Sequence, residues 1–225
     1  MRRQGFDTRE LDAYSSGVFD PALDLNDPDV IDREIADARA GLIDGAHVGL
    51  LCSSWCQMAQ KFNGGTRASQ HPEGSGLLAR ELAGNLQLKQ AVRLSLVFLE
   101  LGIPLTLENP CDSVVWKTDA MLQLRGDARV TETVFDQCMI KLRPPDFVVK
   151  DRIDVRVRKR TRLIGSLSHL CSLKRMCDGN HCQAEAWGTC RVNNKTISRS
   201  RASGAYPPCL CHSLSKLFLQ HPSGP

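Results

Sequence analysis

The 225-residue sequence contains no run of about 18 apolar residues, which excludes a membrane-spanning helix of ordinary length. The residues after Met1 lead into acidic and polar sequence rather than into the apolar core of a signal peptide, and no internal repeat is visible. We therefore expect an intracellular protein without a membrane partner, with nucleus and cytoplasm both open. Apolar side chains make up 42% of the residues, which excludes disorder of the whole chain and is enough for one domain with a sizeable core.

Charge is distributed unevenly along the chain. The net charge is +4, but residues 1–46 contain eleven Asp or Glu and five Lys or Arg, whereas the remainder contains 24 basic and 14 acidic residues. A basic body beside an acidic N-terminal segment suits a polyanionic partner such as DNA or RNA. The alternative is a solvated surface that binds nothing, because a charge bias of this size is common there as well.

Helical and strand patterns alternate through the first 135 residues. Apolar residues recur at helical spacing in several segments, and short continuous apolar runs typical of buried strands lie between them. The predicted elements are a helix from Asp27-Pro28 to near Gly45, a strand at 46–51, a helix from Asn85 to Gly102, a strand at 104–108, a helix at about 113–124 and a strand around 129–135. This alternation predicts an α/β fold with a mostly parallel sheet, in which ligands bind at the carboxyl ends of the strands.

Two chemically useful side chains stand at the ends of these predicted strands. Cys52 follows the first strand and Glu108 ends the second, so we expect both at one edge of the sheet. A cysteine in a turn whose backbone N–H groups stabilise a thiolate can act as a nucleophile, and a neighbouring glutamate can bond to a heterocycle. The alternative for Cys52 is an ordinary small core residue.

A basic segment overlaps a predicted late strand. Apolar and charged residues alternate from Ile153 to Arg158, which is typical of a half-exposed, antiparallel strand. Continued alternation would place three arginines on one face, as a track for nucleic-acid phosphates. The alternative is a solvated strand edge that its charge protects from aggregation. The candidate phosphate ligands are Arg156, Arg158, Arg160 and Arg162.

Six of the ten cysteines lie in the last third of the chain. In a reducing compartment, such crowding favours metal binding or catalysis over a disulfide framework. Their spacing does not match the Cys-x-x-Cys pairs of zinc knuckles, so free thiols stay an alternative, as do disulfides in an oxidising compartment. The predicted structural zinc site combines Cys177 and His181 with Cys182 or Cys190 and one of Cys209 or Cys211. The preferred ligand set is Cys177, His181, Cys182 and Cys211.

A series of short motifs follows one order along the chain. Leu51-Cys52-Ser53-Ser54-Trp55 stands at the first strand end and Leu107-Glu108-Asn109-Pro110 at the next. The others are Gly84-Asn85, Ser113 with Trp116, Asp136-Gln137-Cys138 and Lys159-Arg160-Thr161-Arg162. Over roughly residues 5 to 212 this order resembles cytosine-C5 DNA methyltransferases, and above all the methyltransferase-like domains of phages and eukaryotic mobile elements.

The resemblance implies a Rossmann-like fold that uses S-adenosylmethionine, at residues 1–165. A small Cys/His-rich appendage with a loosely ordered tail from about Ser198 would follow, at residues 166–225. The Cys52 thiolate would add to C6 of a flipped-out cytosine, Glu108 would hold its N3/N4 edge, and the loop at 63–76 would be a mobile lid. The implied cofactor contacts are Asp12, at the end of a strand formed by Phe6–Leu11, together with Asn109 and Pro110.

Two departures from the family pattern bear on activity. Only eleven residues precede Asp12, whereas the first strand and the glycine-rich cofactor turn are expected roughly 20 residues before it. In addition, Leu51 replaces the proline that precedes the nucleophile. The first functional hypothesis is therefore methyl transfer from S-adenosylmethionine to cytosine C5 in DNA. The second is a non-catalytic nucleic-acid-binding module of a mobile element, and the third is an element remnant without a selected function.

Overall fold

A computed structural model describes residues 6–14, 18–145, 154–192 and 194–221. The helices are α1 (Pro28–Arg39), α2 (Gln57–Phe62), α3 (Ala79–Glu100), α4 (Asp119–Gly126), α5 (Arg199–Ala202) and α6 (Pro208–Gln220). The strands are β1 (Ala46–Gly49), β2 (Leu105–Pro110), β3 (Thr131–Asp136), β4 (Val155–Val157), β5 (Arg160–Gly165), β6 (Cys182–Ala184), β7 (Thr189–Val192) and β8 (Lys195–Ser198). None of the helices in these ranges combines the length and the apolarity needed to cross a membrane.

The main sheet has four strands in the order β1-β2-β5-β3. Strand β1 pairs with β2 in parallel, whereas β5 pairs antiparallel with both β2 and β3. It follows that β1, β2 and β3 run in one direction and that β5 alone is reversed. The α/β class is confirmed, but the mostly parallel sheet is not, because β5 enters between β2 and β3 and makes two of the three pairings antiparallel.

The late strand predicted from Ile153 to Arg158 is not an antiparallel strand of the main sheet. Strand β4 covers only Val155–Val157 and pairs in parallel with β6, outside the main sheet. Ile153 lies outside the described residues. The strand that enters the main sheet is β5, in which Leu163 and Ile164 are buried against different core clusters. The sequence pattern pointed to the wrong segment because alternation alone does not distinguish a short side ladder from a strand of the main sheet.

Helices cover both faces of the main sheet. On one face α1, α3 and α4 enclose a cluster that includes Leu107 and Ile164. On the other face α6 packs against Phe135 and Leu163 through three buried leucines, Leu210, Leu214 and Leu217. The expectation of a loosely ordered tail is therefore wrong for residues 208–220. Helix α6 supplies the second helical layer of the fold.

Local sequence signals set the ends of the helices. Asp27 caps α1 by accepting a hydrogen bond from the backbone N–H of Asp29, as predicted, but the helix ends at Arg39 rather than near Gly45. Helix α3 begins at Ala79, earlier than the predicted start at Asn85. Its end is as predicted, because Gly102 follows with a φ of +70°, in the left-handed region that closes helices.

Candidate active site at the strand ends

Cys52 lies directly beyond β1, in a short 3-10 turn formed by Cys52–Ser54. Its carbonyl accepts hydrogen bonds from the backbone N–H groups of Trp55, at 3.0 Å, and Cys56, at 3.1 Å. The residue is exposed. Cys52 is therefore not an ordinary core cysteine, and a ligand at this edge of the sheet can reach its thiol.

Glu108 is nearly buried in β2, and its two carboxyl oxygens have different surroundings. Oε2 accepts a hydrogen bond from the Tyr206 hydroxyl at 3.0 Å. Oε1 lies 3.7 Å from Nζ of Lys159 and has no hydrogen-bond partner among the described residues. A carboxyl oxygen that is held in place but not bonded is available to a donor on a ligand. We call Cys52, Glu108, Lys159 and Tyr206 the strand-end site.

A chain of hydrogen bonds runs from Glu108 through Tyr206 and His47 to Thr106. The Tyr206 hydroxyl lies 3.0 Å from Nε2 of His47, and Nδ1 of His47 lies 2.8 Å from the Thr106 hydroxyl. Burial lowers the pKa of His47 to about 4, so the imidazole is neutral at neutral pH. Burial, and then the nearby Glu108 carboxyl, raise the pKa of Tyr206. Tyr206 therefore keeps its proton and donates a hydrogen bond to Glu108.

The parallel register of β1 and β2 brings Cys52 close to Glu108, because Gly49 pairs with Glu108 and Cys52 follows three residues later. Desolvation, the largest effect, raises the pKa of the Cys52 thiol. The Lys159 ammonium lowers it and the Glu108 carboxyl raises it, so both groups act on the thiol electrostatically. The net result is a thiol that is more protonated at neutral pH than that of an ordinary cysteine.

Asn109 and Pro110 hold the strand-end turns together. The Asn109 side chain is fully buried and donates to the Leu50 carbonyl at 3.1 Å, next to the Cys52 turn. The Pro110 carbonyl accepts from the Trp116 indole N–H at 2.7 Å. Both predicted cofactor ligands thus make contacts that position the two turns, and Oδ1 of Asn109 is buried without a hydrogen-bond partner among the described residues.

Arg67 joins the turn at Cys52–Ser54 to α3. This role of Arg67 was not predicted from the sequence. Its guanidinium lies 3.4 Å from the ring centre of Trp55, and it donates to the side chain of Asn85 at 2.8 Å. Burial lowers the pKa of Arg67 to about 10, which leaves it charged at neutral pH. A Cβ on Gly84 would lie 2.5 Å from the hydroxyl of Ser54 and 3.0 Å from Arg67, so this packing requires glycine. The Ser-Ser-Trp and Gly-Asn motifs therefore meet through one buried arginine.

The loop at residues 63–76, predicted to be a mobile lid, is tied to α3 near its start. The backbone N–H of Thr66 donates to Glu81 at 2.8 Å, and its hydroxyl donates to the same carboxyl at 2.5 Å. Arg67 adds hydrogen bonds to the carbonyls of Pro72 and Glu81, each at 2.8 Å. The lid stays a prediction, and any opening of this loop must pivot beyond these bonds or break them.

The four candidate phosphate ligands all have partners within the protein. Arg156 pairs with Asp154, and Arg160 donates to both oxygens of Asp136 at 3.0 and 3.2 Å. Arg158 lies 3.8 Å from Asp136, and the Arg162 guanidinium lies 5.4 Å from the centre of the Trp116 ring. The prediction that Arg156, Arg158 and Arg160 share one strand face is wrong, because β4 ends at Val157 and Arg160 belongs to a different sheet.

The described residues do not form the expected cofactor site. Residues 6–14 contain no strand, so Phe6–Leu11 is not the predicted strand. The Asp12 carboxylate accepts a hydrogen bond from the backbone N–H of Tyr14 at 2.9 Å, which makes a local turn. Strand β1 is the outermost strand of the main sheet in the described ranges. The structure therefore adds no support for the predicted S-adenosylmethionine site at Asp12, Asn109 and Pro110.

A second cluster lies beyond β3. The ligand atoms of Cys138, Cys177 and His181 lie within 4.8 Å of one another, so the group can hold a metal ion. Burial, and then the neighbouring Cys177 thiol, raise the pKa of Cys138. Of the predicted zinc ligands, Cys177 and His181 belong to this group, whereas Cys182 and Cys211 do not. Cys138 was missed as a ligand because it is remote in sequence, although it stands in the Asp-Gln-Cys motif.

Comparisons of the chain with models of protein families, with curated proteins and with solved structures gave no match. Function is therefore inferred from the residues of the strand-end site and their surroundings.

Proposed function

We propose that this chain is a cytosine-C5 methyltransferase-like domain that binds cytosine in nucleic acid and carries the base-side groups of that chemistry. The observation that carries the proposal is the proximity of Cys52, just beyond β1, to Glu108 in the parallel neighbour β2, whose carboxyl acts electrostatically on the Cys52 thiol.

Glu108 suits recognition of the cytosine amino group. The exocyclic N4 of cytosine is a hydrogen-bond donor, and a glutamate oxygen is a natural acceptor for it. Oε1 of Glu108 is buried and lacks a hydrogen-bond partner among the residues that the structure describes, whereas Oε2 is fixed by Tyr206. A base that enters this site would thus meet one available acceptor whose direction is already set.

Cys52 suits reversible addition to the same base. In that step the thiolate sulfur forms a bond to C6, the C5–C6 π electrons move to C5, and C5 takes a proton from water. The reverse step removes a proton from C5 and expels the thiolate, so the hydrogen at C5 exchanges with solvent. No cofactor takes part in this exchange. Because the pKa of Cys52 is raised, the reaction should be faster at alkaline pH.

The test is deuterium incorporation at cytosine C5. The chain is incubated with a single-stranded, cytosine-containing oligodeoxynucleotide in deuterated buffer, and the recovered nucleosides are analysed by mass spectrometry. We expect incorporation with the wild-type chain and with Cys56→Ser, which removes a neighbouring thiol, and none with Cys52→Ser. Equal incorporation with Cys52→Ser would contradict the role of Cys52.

A second candidate is a non-catalytic nucleic-acid-binding module, with DNA or RNA as its partner. The specific observation in its favour is that the described residues give no support for an S-adenosylmethionine site, since Asp12 lies in a local turn rather than at a strand end. Methyl transfer would then need cofactor groups from elsewhere. Binding of the oligonucleotide without deuterium exchange, by wild type and Cys52→Ser alike, would favour this candidate over the first.

A further inference from the structure

Three metal-ligating side chains from two remote parts of the chain converge beyond the end of β3. Cys138 belongs to the 3-10 turn Gln137–Ile140, and Cys177 and His181 lie in the segment before β6. Sγ of Cys177 is 3.8 Å from Nε2 of His181. Cys138 is fully buried, and the His181 side chain is only 2% exposed. Two sulfur atoms and one imidazole therefore face a common, shielded point.

The surroundings orient these groups as the second layer of a metal site does. Nδ1 of His181 lies 3.9 Å from a carboxylate oxygen of Asp178, which leaves Nε2 directed at the sulfur atoms. A histidine that binds a metal usually places its other ring nitrogen against a carboxylate in this way. The Gln183 amide donates to Sγ of Cys177 at 3.3 Å, and the backbone N–H of Cys177 donates to Asp136 at 2.9 Å.

We infer that Cys138, Cys177 and His181 bind one zinc ion, which clamps the segment before β6 to the end of β3. Thiolate and imidazole ligands select zinc over the harder magnesium and calcium ions, which take oxygen ligands. Water completes the fourth position of a tetrahedral ion. This inference does not depend on the proposed function.

The clamp would add to contacts that already join these segments at the end of β3. The backbone N–H of Asp136 donates to the Arg175 carbonyl at 2.8 Å, and the Gln137 N–H donates to the Lys159 carbonyl at 2.9 Å. A metal at Cys138 and Cys177 closes a long loop, which stabilises the fold by restricting the unfolded chain. The same turn holds the backbone of Lys159, so the zinc also supports the strand-end site.

The first experiment measures metal content. The full chain is purified under reducing conditions without chelator, and zinc is determined by elemental analysis. We expect about one zinc per chain in the wild type. Cys138→Ser and Cys177→Ser should lose most of it. Cys182→Ser and Cys211→Ser, which remove the other two cysteines of the set favoured by sequence, should keep it.

Cobalt substitution tests the ligand set directly and provides a control for misfolding. Co²⁺ in the wild type should give the visible bands of a tetrahedral ion and a near-ultraviolet band from two thiolates. His181→Cys should retain the metal and strengthen the thiolate band by about half, since a third sulfur joins the set. Cys182→Ser should leave the spectrum unchanged. Metal binding by His181→Cys therefore tests the ligand set even if Cys138→Ser does not fold.

Three outcomes would overturn the inference. One is a folded wild-type chain that takes up no zinc or cobalt under reducing conditions, whether its thiols are free or Cys138 and Cys177 are joined as a disulfide. Another is full zinc content in Cys138→Ser. The third is loss of the metal in Cys182→Ser or Cys211→Ser, which would assign the site to the ligands favoured by sequence.

Discussion

Polar side chains at the strand ends bond to distant segments, whereas four aspartates of the acidic N-terminal segment, residues 6–14 and 18–45, bond to near neighbours in sequence. At the strand ends, Asn109 bonds to a carbonyl 59 residues away in sequence and Tyr206 to a carboxyl 98 residues away. In the N-terminal segment, four aspartates accept bonds from backbone N–H groups two residues further on. These four are Asp12, Asp20, Asp24 and Asp27. These four carboxylates therefore make local turns and caps, whereas Asn109 and Tyr206 join distant segments.

Gly84→Ala should have the largest effect, because it disrupts the long-range contacts. Its Cβ would lie 2.5 Å from the hydroxyl of buried Ser54 and 3.0 Å from Arg67. We expect the free energy of unfolding, measured by urea denaturation, to fall by about 1–3 kcal/mol.

Gly126→Ala is the matched control for that substitution. Gly126 also lies in a helix, but an added Cβ there would have no neighbour within 4 Å. We expect no loss of stability and a gain of up to about 1 kcal/mol from the better helix propensity of alanine. Equal changes in the free energy of unfolding at the two glycines would mean that close packing of the Cys52–Ser54 turn against α3 does not contribute to stability.

How much of this arrangement is predictable from sequence depends on the range of the contacts. The start of α1 was predicted correctly because Asp27 caps a helix by a bond to its near neighbour Asp29. The position of Cys52 beyond β1 was also predicted, since it follows a short apolar run, but Glu108 lies inside β2 rather than at its end. Local patterns of this kind carry their own physical cause.

Contacts between remote segments leave no comparable signal. In the sequence, Arg67 looks like an ordinary cation in a loop. Its burial is explained only by its partners on α3 and by the Trp55 ring. Strand β5 was missed because the four arginines and one lysine from 156 to 162 suggested one exposed strand, whereas the chain changes sheets after Val157. Cys138 was missed for the same reason, since its proximity to Cys177 depends on how β3 ends.

The second prediction concerns the reactivity of Cys52 and has an intermediate effect. Because the pKa of the thiol is raised, its thiolate fraction at pH 7 is below that of free cysteine, and alkylation by iodoacetamide should accelerate roughly tenfold per pH unit through the alkaline range. Lys159→Gln removes the cation that lowers this pKa and should slow alkylation at pH 8. Glu108→Gln removes a group that raises the pKa and should accelerate it.

Opposite signs for these two variants are the decisive result. Mass spectrometry of the peptide that contains Cys52 separates its alkylation from that of the other cysteines. Rates that change in the same direction in both variants would indicate altered access to the thiol rather than altered charge. In that case the electrostatic link between Cys52 and Glu108 would not hold.

We expect the smallest effect at Asp12. This prediction is also the most direct test of the difference between the two regions. Asp12→Ala removes one local bond, to the Tyr14 N–H, and should change the free energy of unfolding by less than about 0.5 kcal/mol, as Asp20→Ala should. Calorimetric titration with S-adenosylhomocysteine should give no saturable heat with the wild type or with either variant. Saturable binding that Asp12→Ala abolishes and Asp20→Ala preserves would mean that the N-terminal segment also forms a site. The chain would then carry a cofactor site in addition to the base-binding residues Cys52 and Glu108.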